Sequence, residues 1–197
     1  MINELMERYP CLSSCKEEIE TAAKALIECY KSGGKVLLCG NGGSCADCDH
    51  IVGELMKGFF KDRKVTDERI PQELREKLQG ALPAISLSAH TSLMTATIND
   101  NDADMIFAQQ VYGYAQEKDL LIAISTSGNS KNVVSAVKVA KALSVKTIAL
   151  TGETCGELKN LADVTICAPS TETYKIQEYH LPIYHYLCAR VEEEFFE

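Results

Sequence analysis

Five short apolar runs punctuate this chain: Val36–Cys39, Ala84–Leu87, Leu120–Ile124, Thr147–Leu150 and Val164–Cys167, each bounded by Gly, Pro, Ser or Asp. Apolar runs this short, with at most one hydroxyl residue in each, fit strands buried on both faces. Between the runs, apolar positions recur at helical spacing and predict helices over about 2–8, 12–32, 44–57, 71–79, 103–116, 130–143, 155–161 and 172–195. Strands that alternate with helices imply a parallel sheet covered on both faces. The expected fold is therefore α/β, a single doubly wound domain with a five-stranded parallel sheet flanked by helices. Residues 1–32 form its N-terminal helical segment.

The charged stretch Lys61–Gln79 interrupts this rhythm. It lacks the Gly/Ser composition of a linker, and Pro71 opens what reads as a short helix, so it is expected to be a surface excursion and not a domain boundary. No low-complexity tract or solenoid period is visible. At 197 residues the chain has the size of one ordinary domain, and its 46% apolar and 24% charged fractions are those of a globular protein. A formal net charge of −8 argues against a nucleic-acid partner, because phosphodiester backbones need a basic surface. No apolar run approaches the ~20 residues that span a bilayer. The charged N-terminus is unlike a secretory signal, and nine cysteines without such a signal lead us to expect a cytoplasmic protein with mostly free thiols. Cys29, Cys39, Cys167 and Cys188 sit in apolar surroundings, where a small hydrophobe serves.

Two of the predicted strands end in loops built for an anion. After Leu120–Ile124 comes Ser125-Thr126-Ser127-Gly128-Asn129-Ser130, and then a helix. The first turn of a helix offers unpaired N–H groups and partial positive charge, the four hydroxyls can donate to phosphate oxygens, and glycine lets the backbone approach. In an acidic protein such local dipoles must supply the attraction that bulk charge does not. The first strand ends likewise in Gly40-Asn41-Gly42-Gly43-Ser44. Ligands of open α/β sheets collect at the carboxyl ends of strands, so both loops should line one crevice.

The helix after the first loop carries His50 and Glu54, four residues apart and hence on one face. Near the end of the chain, Gln177 and His185 lie about two turns apart on the predicted helix over 172–195, which Pro182 is expected to kink. His180 lies off that row and is expected to be structural; His90 has no such partner. Cys45-Ala46-Asp47-Cys48 has CxxC spacing, but no second pair is spaced for a structural zinc, and no function is assigned to it.

Taken together, Gly-Asn-Gly-Gly-Ser (40–44), His50 and Glu54, Asn99-Asp100, Ser-Thr-Ser-Gly-Asn-Ser (125–130), Leu-Thr-Gly (150–152), Ile-Gln-Glu (176–178) and His185 resemble the sugar isomerase family of single SIS-domain proteins. Within it the chain is most similar to the bacterial phosphoheptose isomerases. The resemblance covers essentially the whole chain and implies a flavodoxin-like strand order. It also implies conversion of sedoheptulose 7-phosphate to D-glycero-D-manno-heptose 7-phosphate through an enediol. Ser125, Thr126, Ser127 and Ser130 match the family's phosphate cradle; Asn41, Gly42, Gly43, Ser44, Asn99 and Asp100 match positions that hold the sugar, and Gln177 also faces substrate. Glu54 matches the general base and His185 the second acid/base group. His50, Glu54, Gln177 and His185 match the zinc ligands of some members, and the family's habit is a homotetramer with sites shared between subunits. The chain departs from the pattern in the length of the Lys61–Gln79 excursion. An isomerase of another sugar phosphate, a non-enzymatic sugar-phosphate sensor and a protein-interaction role are the alternatives compatible with the same loops.

Overall fold

The computed structural model describes residues 1–196 and contains a five-stranded sheet in the order β2-β1-β3-β4-β5. The strands are β1 (Val36–Gly40), β2 (Ala84–Ser86), β3 (Leu120–Ile124), β4 (Lys146–Thr151) and β5 (Val164–Cys167), and every pairing is parallel. The helices are α1 (Ile2–Arg8), α2 (Lys16–Lys31), α3 (Gly43–Met56), α4 (Gln72–Arg75), α5 (Thr91–Asp100), α6 (Ile106–Tyr114), α7 (Lys131–Ala142), α8 (Leu158–Leu161) and α9 (Thr173–Phe195). None of them, among the described residues, is long and apolar enough to cross a membrane.

Side chains alternate across each strand, so both faces must be covered. Leu120, Ile122 and Ile124 of β3 pack into one core with α2, α3 and α9, whereas Leu121 and Ala123 join a second core with α6 and α7. The chain leaves β1 toward β2 and leaves β3 toward β4, in opposite directions across the sheet. The β1–β3 boundary is thus the topological switch point, and the two glycine loops leave the sheet there side by side.

Local chemistry shifts several predicted elements. Thr91–Asp100 is a helix where none is expected, because its threonines return their hydroxyls to the helix: Thr95 Oγ1 donates to Thr91 O at 3.0 Å and Thr97 Oγ1 to Leu93 O at 2.9 Å. The predicted helix over 155–161 begins only at Leu158, since Cys155 and Gly156 both take positive φ, at 59° and 58°. The segment expected to begin a helix at 12 is a 3-10 turn, Pro10–Cys15, before α2 starts. Helix α9 is continuous through the buried Pro182 and keeps Gln177 and His185 on one element.

One cysteine reading is corrected. Cys167 is no isolated hydrophobe; it forms a disulfide with Cys155, Cα–Cα 5.5 Å, while the other seven cysteines are free thiols. The excursion projects from a narrow neck. Lys64 bridges Gln79, Gly80 N donates to Arg63 O at 2.6 Å, and α4 contributes no buried residue.

Candidate active site at the switch point

The two loops are tied to each other by their amides. Asn41 Nδ2 donates to Asn132 Oδ1, and Asn132 Nδ2 returns the bond to Asn41 Oδ1, both at 2.9 Å. Asn132 lies in the first turn of α7 and escaped the sequence reading; only the packing of the loops reveals its partner.

In the 125–130 loop, Ser125 Oγ lies 2.9 Å from Ser130 Oγ and 3.5 Å from Ser127 Oγ, so three hydroxyls converge. Gly128 is indispensable to this turn. Its φ is +68°, and a Cβ there would stand 2.0 Å from Cys155 O. The loop after β4 backs the turn: Leu158 N donates to Gly128 O at 3.1 Å and Glu157 N to Asn129 Oδ1 at 2.9 Å. Thr126 and Ser127 open onto a cavity of about 170 Å³ shared with Thr154, Ser170, Thr171 and Thr173. A pocket with that many hydroxyls beside the start of α7, whose first turn carries no acidic residue, suits an anion.

The 40–44 loop turns into α3 at Gly42, and Ser44 is buried. A Cβ on Gly43 would lie 2.5 Å from Gln177 Nε2, so the bare backbone is what admits the Gln177 amide from α9. Asn99 and Asp100 close α5, exposed, with Asn99 Nδ2 donating to Asp100 Oδ1 at 2.7 Å. Among the described residues no hydrogen bond joins either of them to the two loops.

The packing of α3 against α9 brings the expected reactive groups together. His50 Nε2 is 3.2 Å from Glu54 Oε1 and 3.4 Å from His185 Nε2. The second Glu54 oxygen is buried without a hydrogen-bond partner, with Lys57 Nζ at 3.7 Å. Behind His50, Tyr184 OH lies 3.0 Å from Nδ1 and 3.2 Å from Asp47 Oδ1. Burial, and then the neighbouring His50, hold the His185 imidazole below its usual range. Burial pushes the Asp47 carboxyl up, against the opposing Tyr184 hydrogen bond. Among the described residues no group of three or more His, Cys, Asp or Glu closes as a preformed metal cluster. Cys45 and Cys48 remain free, and burial drives the Cys48 thiol well above the usual range. His180 is fully buried with Nε2 against Thr151 O at 3.1 Å, the structural role expected of it.

Two charged residues outside the sequence reading lock this arrangement. Arg63, at the neck of the excursion, donates from Nε to Glu192 Oε1 at 2.7 Å, from Nη1 to Leu55 O at 2.6 Å and from Nη2 to Glu54 O at 2.9 Å. Glu192 also accepts from Phe59 N and Phe60 N at 2.8 Å, and both charged side chains are essentially inaccessible. The pair ties the end of α3, which carries Glu54, to α9, which carries His185.

The SIS domain family model matches residues 2–152. The phosphoheptose isomerase of Nitratiruptor sp. is 42% identical over 196 residues, covering 98% of this chain and 96% of its own. That of Clostridium acetobutylicum is 43% identical over 180 residues, with 91% and 84% covered. Among solved structures, phosphoheptose isomerase GmhA from Neisseria gonorrhoeae superposes with a TM-score of 0.80 at 32% identity, covering 97% of this chain and 94% of that one.

Proposed function

The chain belongs to the SIS domain family, among its phosphoheptose isomerases, and from that premise we propose that it interconverts sedoheptulose 7-phosphate and D-glycero-D-manno-heptose 7-phosphate. It is an aldose–ketose isomerase. The observation that carries the reading is the meeting of Glu54, His50 and His185 beside two glycine loops at the switch point.

The phosphate is held by Ser125, Thr126, Ser127 and Ser130 at the start of α7, and Asn41, Gly42, Gly43, Ser44, Asn99, Asp100 and Gln177 hold the sugar chain. Held at that end, the ketose presents C1 and C2 to Glu54. The Glu54 carboxylate takes a proton from C1, leaving a cis-enediol, and returns it to C2. The O1 proton must meanwhile reach O2 as the carbonyl moves to C1. His185 carries it, since a depressed imidazole pKa leaves the ring neutral and able to accept. Hydrogen bonds to the enediolate oxygens lower the barrier.

The reading includes a zinc: two imidazoles, a carboxylate and an amide are donor types that zinc accepts, although among the described residues no three His, Cys, Asp or Glu side chains are already grouped to hold a metal ion. In a tetrahedral site with zinc–nitrogen distances of ~2.0–2.1 Å, ligand atoms stand about 3.3–3.4 Å apart. The two separations around His50 Nε2, 3.2 and 3.4 Å, are near this spacing and Gln177 would complete the set, but a zinc held there would occupy the Glu54 and His185 atoms assigned to proton transfer. When bound, zinc would polarise the sugar oxygens as a Lewis acid. The reading includes a homotetramer with shared sites: Phe60 is 73% exposed and Leu181 40%, and both line a groove of about 330 Å³ of mixed polarity, with Glu4 and Arg8 in its wall, that reaches His185. Seven of the nine cysteines are free, which supports a reducing cytoplasm, and the Cys155–Cys167 disulfide weighs against it.

The test is exchange of solvent deuterium into a panel of sugar phosphates, followed by NMR with and without a zinc chelator. Exchange confined to seven-carbon phosphates supports the reading. Exchange into a different sugar phosphate alone would reassign the substrate, and none at all would leave a binding protein.

A further inference from the structure

The hydroxyl of Tyr184 touches two groups that cannot both be served in the same way. Asp47 offers only acceptors when ionised, and its Oδ2 is buried with no partner. Tyr184 has one proton, and donating it to Asp47 Oδ1 gives that carboxylate its hydrogen bond. The phenol oxygen is then left as an acceptor, and His50 Nδ1, 3.0 Å away, must be the donor. With its proton on Nδ1, the His50 ring turns an unprotonated Nε2 toward Glu54 Oε1 and His185 Nε2. The reverse arrangement, with the hydroxyl donating to Nδ1, would give Glu54 Oε1 an Nε2–H but leave the Asp47 carboxylate without a donor on either oxygen; Glu54 still has the Lys57 ammonium at 3.7 Å, whereas Asp47 has no cation beside it, so the proton on Nδ1 costs less.

We propose that Tyr184, backed by Asp47, is a positioning residue that fixes His50 as its Nδ1–H tautomer and so aims a lone pair at the centre of the site. Its importance for catalysis rests on the isomerase and zinc reading above; the tautomer itself does not. The ring is pinned as well as the proton. Tyr184 is 2% exposed, and its ring meets His50 edge-on at 5.4 Å and His185 at 5.1 Å. The lone pair on His50 Nε2 and those of Glu54 Oε1 repel one another unless a cation, or a proton on His185 Nε2, lies among them. The relay therefore prepares the site for a divalent cation, as hydrogen bonds to the remote nitrogen of a ligating histidine do elsewhere.

The chain has four histidines, so ring nitrogen tautomers can be read by long-range proton–nitrogen NMR on the metal-free protein, with His50→Gln to assign the signal. Wild type should show His50 protonated on Nδ1. Asp47→Ala should flip it, because the freed Tyr184 hydroxyl then donates to Nδ1 and leaves the proton on Nε2. Asp47→Asn keeps an acceptor and should restore the Nδ1–H form. Tyr184→Phe should leave a mixture and weaken zinc binding about 10–100-fold in a chelator competition, lowering kcat with little change in KM. Thermal unfolding checks that each variant is folded. A wild-type His50 protonated on Nε2, or a tautomer unmoved by Asp47→Ala, overturns the proposal. Wild-type protein that takes up no zinc sinks the metal reading instead, and the tautomer measurement still decides the relay.

Discussion

Arg63→Ala removes the guanidinium that joins the two helices of the site. Its three hydrogen bonds, at 2.6 to 2.9 Å, are charge-assisted, and each contributes about 1.5–3 kcal/mol. Against their sum stands the several kcal/mol spent desolvating the guanidinium, which the variant recovers. Losing one member of such a buried pair costs about 3–5 kcal/mol, because the other charge stays behind. Glu192 would keep the Phe59 and Phe60 amides but lose its cation. At this chain length the loss corresponds to a fall in Tm of roughly 6–20 °C. Denaturant unfolding of Arg63→Ala, Glu192→Gln and the double variant measures it, and the double variant should cost far less than the sum of the singles. Because Arg63 Nη2 also holds the Glu54 carbonyl, kcat should fall even at temperatures where the variant is folded. A single variant within about 1 kcal/mol of wild type, or additive singles, would refute the clamp.

Three other outcomes follow from particular contacts. Gly43→Ala should leave stability nearly unchanged yet lower turnover, because its Cβ, 2.5 Å from Gln177 Nε2, displaces only the end of a flexible side chain; calorimetry beside kinetics separates the two effects. His180 has its pKa lowered from 6.5 to about 4 by burial, against the Thr151 hydrogen bond. The unfolded chain therefore binds a proton that the folded chain refuses, and stability falls as pH drops through that window, by about 2 kcal/mol from pH 7.5 to pH 5. In His180→Gln that share of the slope should vanish from denaturant titrations. Ser127→Ala with Ser130→Ala should weaken sugar-phosphate binding by about 1–3 kcal/mol in calorimetric titrations while sparing kcat, the signature of a lost cradle.

The elements legible in the sequence are those whose information is local. The runs at 36–39 and 120–124 read as strands because burial on both faces leaves no polar position in them. Strand order follows from the resemblance, and the paired loops from their glycine and hydroxyl spacing. What stayed hidden depends on tertiary partners. Nothing near Thr91–Asp100 announces a helix, since β-branched residues weaken the signal until their hydroxyls find the preceding turn. Arg63 and Glu192 are 129 residues apart and look like two surface charges until α9 folds against α3. Cys155 and Cys167 are two of nine cysteines with no spacing to single them out. Asp47 was within reach: it precedes His50 by three residues and Glu54 by seven, so all three share one helical face. Tyr184 was not, because its role arises only where two helices meet.

The central claim is that Glu54 moves the proton between C1 and C2. Its most direct test follows solvent deuterium into sedoheptulose 7-phosphate by NMR with wild-type protein and with Glu54→Gln. Wild type should exchange the label, and Glu54→Gln should still bind the phosphate ester but exchange at least ~10²-fold more slowly. A folded Glu54→Gln variant that exchanges at close to the wild-type rate would contradict the account.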